Sequence, residues 1–434
     1  MATYRLLMKA HHLIRSSPFA RLLSSETLST TSSSVFFLAT PLVAITVLHA
    51  DAMDVGVLGA ASTAAPLLFG LSAGAIADRF DRWKVLFWCS LSRFLLVVIL
   101  PILFYFDRGS VALLCIVSFG ISMIKLTFDT VISAVVPTIV PPENLTKANS
   151  WYEAINSTAY TLGPAIAGWL VQTVSTSVVY ILNAILYLAS TVCIQEIVLP
   201  RAPLTAQRRK SHFLDIANGI KFLWKSEIQR TVALAAGFFN LFHTAFFTVF
   251  TIYALKELEF SAATFGTIIS VVGLAGLLGA LCAAKLIEWV GVRTALVGTL
   301  MAIGPLGFPI LFAASLPFSQ RTVLIVFCLA AWDFLIVVHV IIEQTLRQVM
   351  IKHGRLSRVT ATIRFVSWGM DPVGALLGGV AASSVLGSNG TLLICMLGFI
   401  ASSALLLTSR GIRSLSNADL RSVRVAQRAI DPAP

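Results

Sequence analysis

The chain has 434 residues, 57% of them hydrophobic and only 12% charged, with a mean hydropathy of +0.86 and a formal net charge of +12. Soluble domains carry about 25% charged residues, so an ordinary soluble enzyme is excluded. The positive charge belongs to membrane topology rather than to nucleic acid. Apolar runs of about 20 residues, enough to cross a bilayer as helix, recur from end to end. The short alternating segments of a β-barrel are absent.

Residues 1–27 carry Arg5, Lys9, Arg15 and Arg21 against one acid, Glu26, with no continuous apolar segment of the kind a cleaved signal peptide has. They read as a basic cytoplasmic tail, with an organelle transit peptide as the alternative. Twelve spans follow, over 28–50, 55–77, 85–106, 110–136, 148–171, 177–199, 230–254, 262–287, 293–317, 322–349, 357–386 and 390–409. The polar, basic linker 200–229 ("RAPLTAQRRKSH") separates an N-terminal bundle, 28–199, from a C-terminal bundle, 230–409, and 410–434 forms a second tail. The six cysteines lie inside apolar runs with no C-x-x-C pair, so neither a disulfide framework nor a metal site is expected.

Orientation follows from Lys and Arg. With both termini cytoplasmic, 26 of the 32 basic residues fall on the inside, three (Arg108, Lys256, Arg321) outside, and three (Arg93, Lys125, Arg364) within spans. The halves also align with each other. At an offset of 211, "LTKANSWYEAINSTAYTLGPAIAGW" lies over "LSRVTATIRFVSWGMDPVGALLGGV", matching Gly163 with Gly374 and Gly168 with Gly379. The expected fold is therefore all-α, with twelve transmembrane helices in two pseudo-symmetric six-helix bundles. A repeat of this kind puts the substrate path between its halves.

The loop "SAGAIADRFDRWKV" packs Asp78, Arg79, Asp81, Arg82 and Lys84 between two apolar spans. Through Gly74, Asp78, Arg79, Arg82 and Lys84 it is similar to the loop signature G-x-x-x-D-R-x-x-R-x-K/R of the major facilitator superfamily. "PTIVPPENLTKANS", "LGPAIAGWL", "TLRQVM" and "DPVGALLGG" resemble the branch that holds enterobactin-export and macrolide-efflux proteins, while "KANSWYEA" also resembles lysophospholipid transporters. The resemblance implies that spans 1, 4, 7 and 10 line a central cavity and spans 2, 5, 8 and 11 form the interface of the halves. It further implies that the loop latches the cytoplasmic gate.

Ionisable groups inside spans are functional candidates, because leaving them unpaired in a bilayer costs several kcal/mol. Lys125 and Asp129 sit four residues apart on span four, close enough to pair. Asp333, His339 and Glu343 lie on span ten and His243 on span seven, where Asn240 also falls. Asp129 and Asp333 are expected to couple protons or touch substrate, with Lys125 tuning Asp129; a static Lys125–Asp129 pair is the alternative. The two histidines serve either packing or a proton relay. Arg364 is expected to meet Asp78 at the gate, and Glu153 to meet Lys285. Asp371, followed by Pro372, marks a kink or a second protonation site. Gly163, Pro164 and Gly168 on span five permit close approach and bending, and the resemblance associates such a motif with exporters that exchange substrate for protons.

The expected function is secondary transport, as a proton-coupled exporter of a small organic molecule such as a siderophore, drug or secondary metabolite. The chain would act as a monomer in the cell membrane or an organellar membrane, with a small-molecule substrate, protons, the lipid bilayer and no cofactor or nucleic acid as partners. Uptake, lipid transport, or a non-transporting sensor or scaffold are the alternatives. No G-x-x-x-x-G-K-[ST] phosphate loop is present, and the seven scattered histidines show no metal-ligand spacing of an enzyme.

Overall fold

The computed structural model describes residues 18–70, 80–141, 144–195, 197, 221, 223–350 and 362–414. Among these, all regular structure is helical. In chain order the long helices are α1 (Pro18–Thr46), α2 (Ala52–Gly70), α3 (Arg82–Tyr105), α4 (Val111–Ile139), α5 (Leu145–Thr173) and α6 (Thr176–Gln195). There follow α7 (Glu227–Ile252, prolonged by a π turn to Glu257), α8 (Ala262–Val290), α9 (Val292–Gly307, prolonged as 3-10 helix to Ser315), α10 (Phe318–Met350), α11 (Thr362–Ser383) and α12 (Gly387–Thr408). Eleven of them are long and apolar enough to cross a membrane. The one that does not qualify is α5. It has 29 residues, about 43 Å at 1.5 Å per residue, but its first half, "LTKANSWYEAINST", is polar.

Helix ends follow local chemistry. Asp81 caps α3 by accepting a hydrogen bond from the Lys84 N–H at 3.2 Å, and Ser110 caps α4 by accepting one from the Leu113 N–H at 3.2 Å. A single residue, Gly291, separates α8 from α9, and its φ of 86° is a conformation that favours glycine. The first helix starts at Pro18, ten residues before the boundary expected from apolarity. Residues 18–27, expected in the tail, are thus helical, and Ser25 and Glu26 among them are buried.

The chain folds as two compact units. Of the described residues, the first holds those between 18 and 50, between 61 and 197, and 260–270. Within it α1 packs on α5 and α6, and α3 packs on α4 and α6. The second holds 51–60 and the described residues between 221 and 259 and between 271 and 414, with α7 on α11 and α12, and α9 on α10 and α12. These four pairings are the first unit's, shifted by six helices, so the internal repeat governs packing as well as sequence.

Each unit also takes in the start of one helix from the opposite sequence half, 260–270 in the first and 51–60 in the second. Glycines make this possible. In the first unit a Cβ on Gly168 would lie 3.0 Å from the Gly266 Cα and collide with the Ala262 carbonyl. In the second, a Cβ on Gly379 would lie 2.8 Å from the Gly56 Cα and 2.6 Å from the Ala52 carbonyl. Gly168 and Gly379 are the pair matched by the repeat, as are Gly163 and Gly374, which pack on α1 at Ser34 and on α7 at Leu241.

Gly168→Leu and Gly379→Leu are each expected to abolish monodisperse folded protein in detergent by size-exclusion chromatography. Gly298→Leu, where nothing lies within 4 Å, should leave the elution profile unchanged; equal behaviour of all three would contradict the close-approach role.

Candidate functional site

Two polar centres form inside these apolar bundles, one in each unit. In the first, α1 presents hydroxyls to its neighbours turn after turn. Ser25 meets Ser190 at 2.8 Å, Ser32 donates to Asn183 at 3.0 Å, Ser33 meets Tyr187 at 3.0 Å, and Ser34 donates to the Ala159 carbonyl at 2.8 Å. The expected Lys125–Asp129 contact is made, with Nζ donating to Oδ2 at 2.9 Å.

Two charged residues join this centre that sequence reasoning did not single out. Glu26 is 1% exposed; its Oε1 accepts from Thr30 at 2.8 Å, while its Oε2 is buried without a hydrogen-bond partner. Its carboxylate interacts electrostatically with Lys125, Asp129 and Arg93, and the Tyr152 hydroxyl faces it. Arg93 is wholly buried, donating to Ser29 at 2.6 Å and Ser90 at 3.4 Å, with its guanidinium 4.2 Å from the Phe128 ring centre and 5.2 Å from that of Tyr187. Two acids thus balance two cations inside one unit. Such a network tolerates burial, whereas losing one member leaves an uncompensated charge.

The second unit holds a cavity of about 360 Å³ walled by α7, α9, α10 and α11. Four of the expected residues converge there: His243, His339, Glu343 and Arg364. The His339 Nδ1 lies 3.1 Å from the Leu296 carbonyl and 3.2 Å from the Thr299 hydroxyl, so it donates to the carbonyl and leaves Nε2 as acceptor when the ring is neutral. His243 sits among Phe239, Phe247 and Trp332, with ring centres 5.4, 4.9 and 6.4 Å away. Arg347 donates from Nη2 to the Glu343 Oε1 at 2.6 Å. Arg364 stacks 5.1 Å over Trp368.

Other expected residues lie elsewhere. Asp333 rests on Gly276 of α8, outside the cavity. Asp371 accepts from the Thr244 hydroxyl at 3.0 Å and begins the second half of α11, after a turn at Gly369 and Met370, so the expected break falls there. Pro164 lies inside α5 beside Ala165, whose N–H donates to Ser270 at 2.8 Å. Glu153 and Lys285 are each exposed in their own unit. Gly74, Asp78 and Arg79, and with them the Arg364–Asp78 latch, fall outside the described residues; Arg82 and Lys84 open α3. Asp81, the second acid of that loop, is the cap of α3.

Long apolar helices enclosing buried polar centres, built twice on one pattern, define a polytopic membrane protein with an internal repeat. The profile of the Major Facilitator Superfamily matches residues 22–375, and the chain belongs to that superfamily. It is 26% identical over 220 residues to an uncharacterized MFS-type transporter, YfiS, of Bacillus subtilis, covering 50% of this chain and 51% of that one. It is 30% identical over 148 residues to macrolide efflux protein A of Enterococcus faecalis, covering 33% and 44%. The aligned stretches thus span about half the length of these curated relatives. Among solved structures, a bacterial homologue of the iron transporter ferroportin in its inward-facing state has a TM-score of 0.69 at 16% identity, covering 89% of this chain and 98% of that one. The nucleoside transporter NupG has a TM-score of 0.70 at 13% identity, covering 91% and 99%. At these identities the structures establish a shared fold.

Arg93→Met is expected to destabilise the protein by about 3 kcal/mol in denaturant titrations, because it removes a wholly buried cation and leaves the two acids of the group facing Lys125 alone. Combined with Glu26→Gln it should cost less than the sum of the two single changes; strict additivity would disconnect the two residues. Asp81→Ala, which removes only a cap, should cost about 1 kcal/mol.

Proposed function

We propose that the chain is a secondary active transporter that exports a small organic molecule across the cell membrane in exchange for protons. In this reading α5 is the twelfth span, both termini are cytoplasmic, and the monomer works by alternating access between its halves. The observation that carries the reading is the group formed by buried Glu26 and Arg93 with the half-buried pair Lys125 and Asp129. It is charge-balanced only while both acids are ionised. Protonating either acid leaves a positive excess inside an apolar bundle, so proton occupancy and conformation are linked by electrostatics. The names of the relatives support export: macrolide efflux protein A, and a multidrug efflux pump, Tap, of Mycolicibacterium fortuitum, 27% identical over 197 residues.

Asp129 and Glu26 are the proposed proton carriers, and Lys125 competes with the proton for Asp129. Asp333 and Asp371, each held by one light contact, are secondary candidates, while His243 and His339 shape the wall of the second unit's cavity. Gly163, Pro164 and Gly168 provide the packing seam of α5. The charged loop through Gly74, Asp78, Arg79, Arg82 and Lys84 is the proposed cytoplasmic latch.

The test uses proteoliposomes loaded at acid pH with a trapped pH indicator, to which a macrolide or 2-naphthoate is added. Wild-type protein is expected to raise the internal pH on addition of a transported compound. Asp129→Asn and Glu26→Gln should abolish that rise while retaining energy-independent counterflow of the same compound. Undiminished proton movement in both variants would contradict the assignment.

A further inference from the structure

The cavity of the second unit carries an electrical imbalance that the first unit's centre lacks. Two guanidiniums, Arg347 and Arg364, line it, and they repel one another. A single carboxylate, Glu343, faces them and is already bonded to Arg347. With the imidazoles of His243 and His339 neutral, the described residues that line the cavity carry one positive charge in excess. Among the described residues no acid reaches Arg364, whose recorded contact is the face of Trp368.

Donor geometry points the same way. Among the described residues the Arg364 guanidinium, 5.1 Å from the Trp368 ring centre, makes no ion pair, and its N–H fork is of the kind that receives a carboxylate in bidentate fashion. Two further lining groups are buried without a hydrogen-bond partner, the Arg347 Nε and the Ser367 Oγ. The amides of Asn240 and Gln344 add donors to the same wall, while Phe239, Ile303 and Ile336 give it an apolar side. The volume of about 360 Å³ suits one small ligand rather than a large macrocycle, since ligand pockets begin at about 300 Å³.

We propose that this cavity is a binding subsite for a monovalent organic anion, a carboxylate carried on an apolar or aromatic body. Arg364 and Arg347 hold the carboxylate, Ser367 donates to it, and the aliphatic side receives the body. Arg364 is exposed at the mouth of the cavity, and the ligand's single negative charge answers the cation that Glu343 does not. The subsite names the substrate class of the transport reading and rests on it.

The test is equilibrium binding of radiolabelled 2-naphthoate to the full-length protein in lipid nanodiscs, alongside 2-naphthylmethylammonium and 2-naphthyl phosphate. Saturable binding of the carboxylate is expected, at least about tenfold tighter than the matched cation and no weaker than the divalent phosphate. Arg364→Gln should weaken it about tenfold or more, as loss of a charge-assisted bond does, and Arg364→Lys should recover part of that loss. Ser367→Ala, which empties no ion pair, should weaken it several-fold and serves should Arg364→Gln misfold. Binding unchanged by Arg364→Gln and Ser367→Ala, cation binding equal to carboxylate, or preference for the phosphate would each overturn the proposal. Counterflow in proteoliposomes separates it from the transport reading. Exchange of the cation but not the carboxylate would remove the subsite and leave transport standing, while carboxylate binding without counterflow would do the reverse.

Discussion

A charge held inside a bilayer costs about 2.5–3.5 kcal/mol even by the mildest scales, and the disposition of ionisable side chains in this protein answers to that cost. In the first unit it is met internally. Glu26 and Asp129 oppose Lys125 and Arg93, and a hydroxyl of α1 takes up one further donor, where Ser29 accepts from Arg93 at 2.6 Å. In the second unit it is met incompletely, with Glu343 answering only one of two arginines around an open cavity. A closed balance suits a site whose occupant is a proton, and an open one suits a site whose occupant brings its own charge.

The glycine seams make the two centres mechanically consequential. Where Gly168 lies on Gly266, and Gly379 on Gly56, helix backbones touch with no side chain between them. Small-residue contacts of this kind can form and part without repacking large side chains. Both seams involve helix segments that a compact unit borrows from the opposite half of the sequence, and Gly168 and Gly379 are related by the offset that aligns the halves.

Much of this was legible in the sequence, for identifiable reasons. Apolar run length revealed the spans, and the glycine spacing in "LGPAIAGW" and "DPVGALLGGV" revealed the repeat and its seams. The Lys125–Asp129 pair followed from helical spacing alone. What escaped was polar sequence inside the membrane-spanning fold. The segment up to residue 27 is basic and polar enough to look like a tail, so the first span was expected to begin at residue 28, when a serine bonded to a neighbouring helix can be buried in the bundle, as Ser25 is against Ser190. Arg93 was visible as a charge within a span, but its partners on other helices, Ser29, Phe128 and Tyr187, could not be named without the fold. Convergence of His243, His339, Glu343 and Arg364 on one cavity depends on three helices meeting; spacing placed each on its helix, and only packing set Asp333 apart from them. The cap formed by Asp81 was within reach, since an aspartate directly before an apolar run is a helix-start signal.

If the proton carriers lie in the first unit and the second receives a monovalent anion, exporting one anion for one entering proton moves two charges inward. A membrane potential of 100 mV would then contribute about 4.6 kcal/mol per cycle. The most direct test is charge movement recorded from proteoliposomes on a solid-supported membrane during 2-naphthoate concentration jumps. The account predicts a current in wild-type protein that grows with the pH gradient and vanishes in Asp129→Asn. An electrically silent response, or a current of equal size in Asp129→Asn, would contradict it.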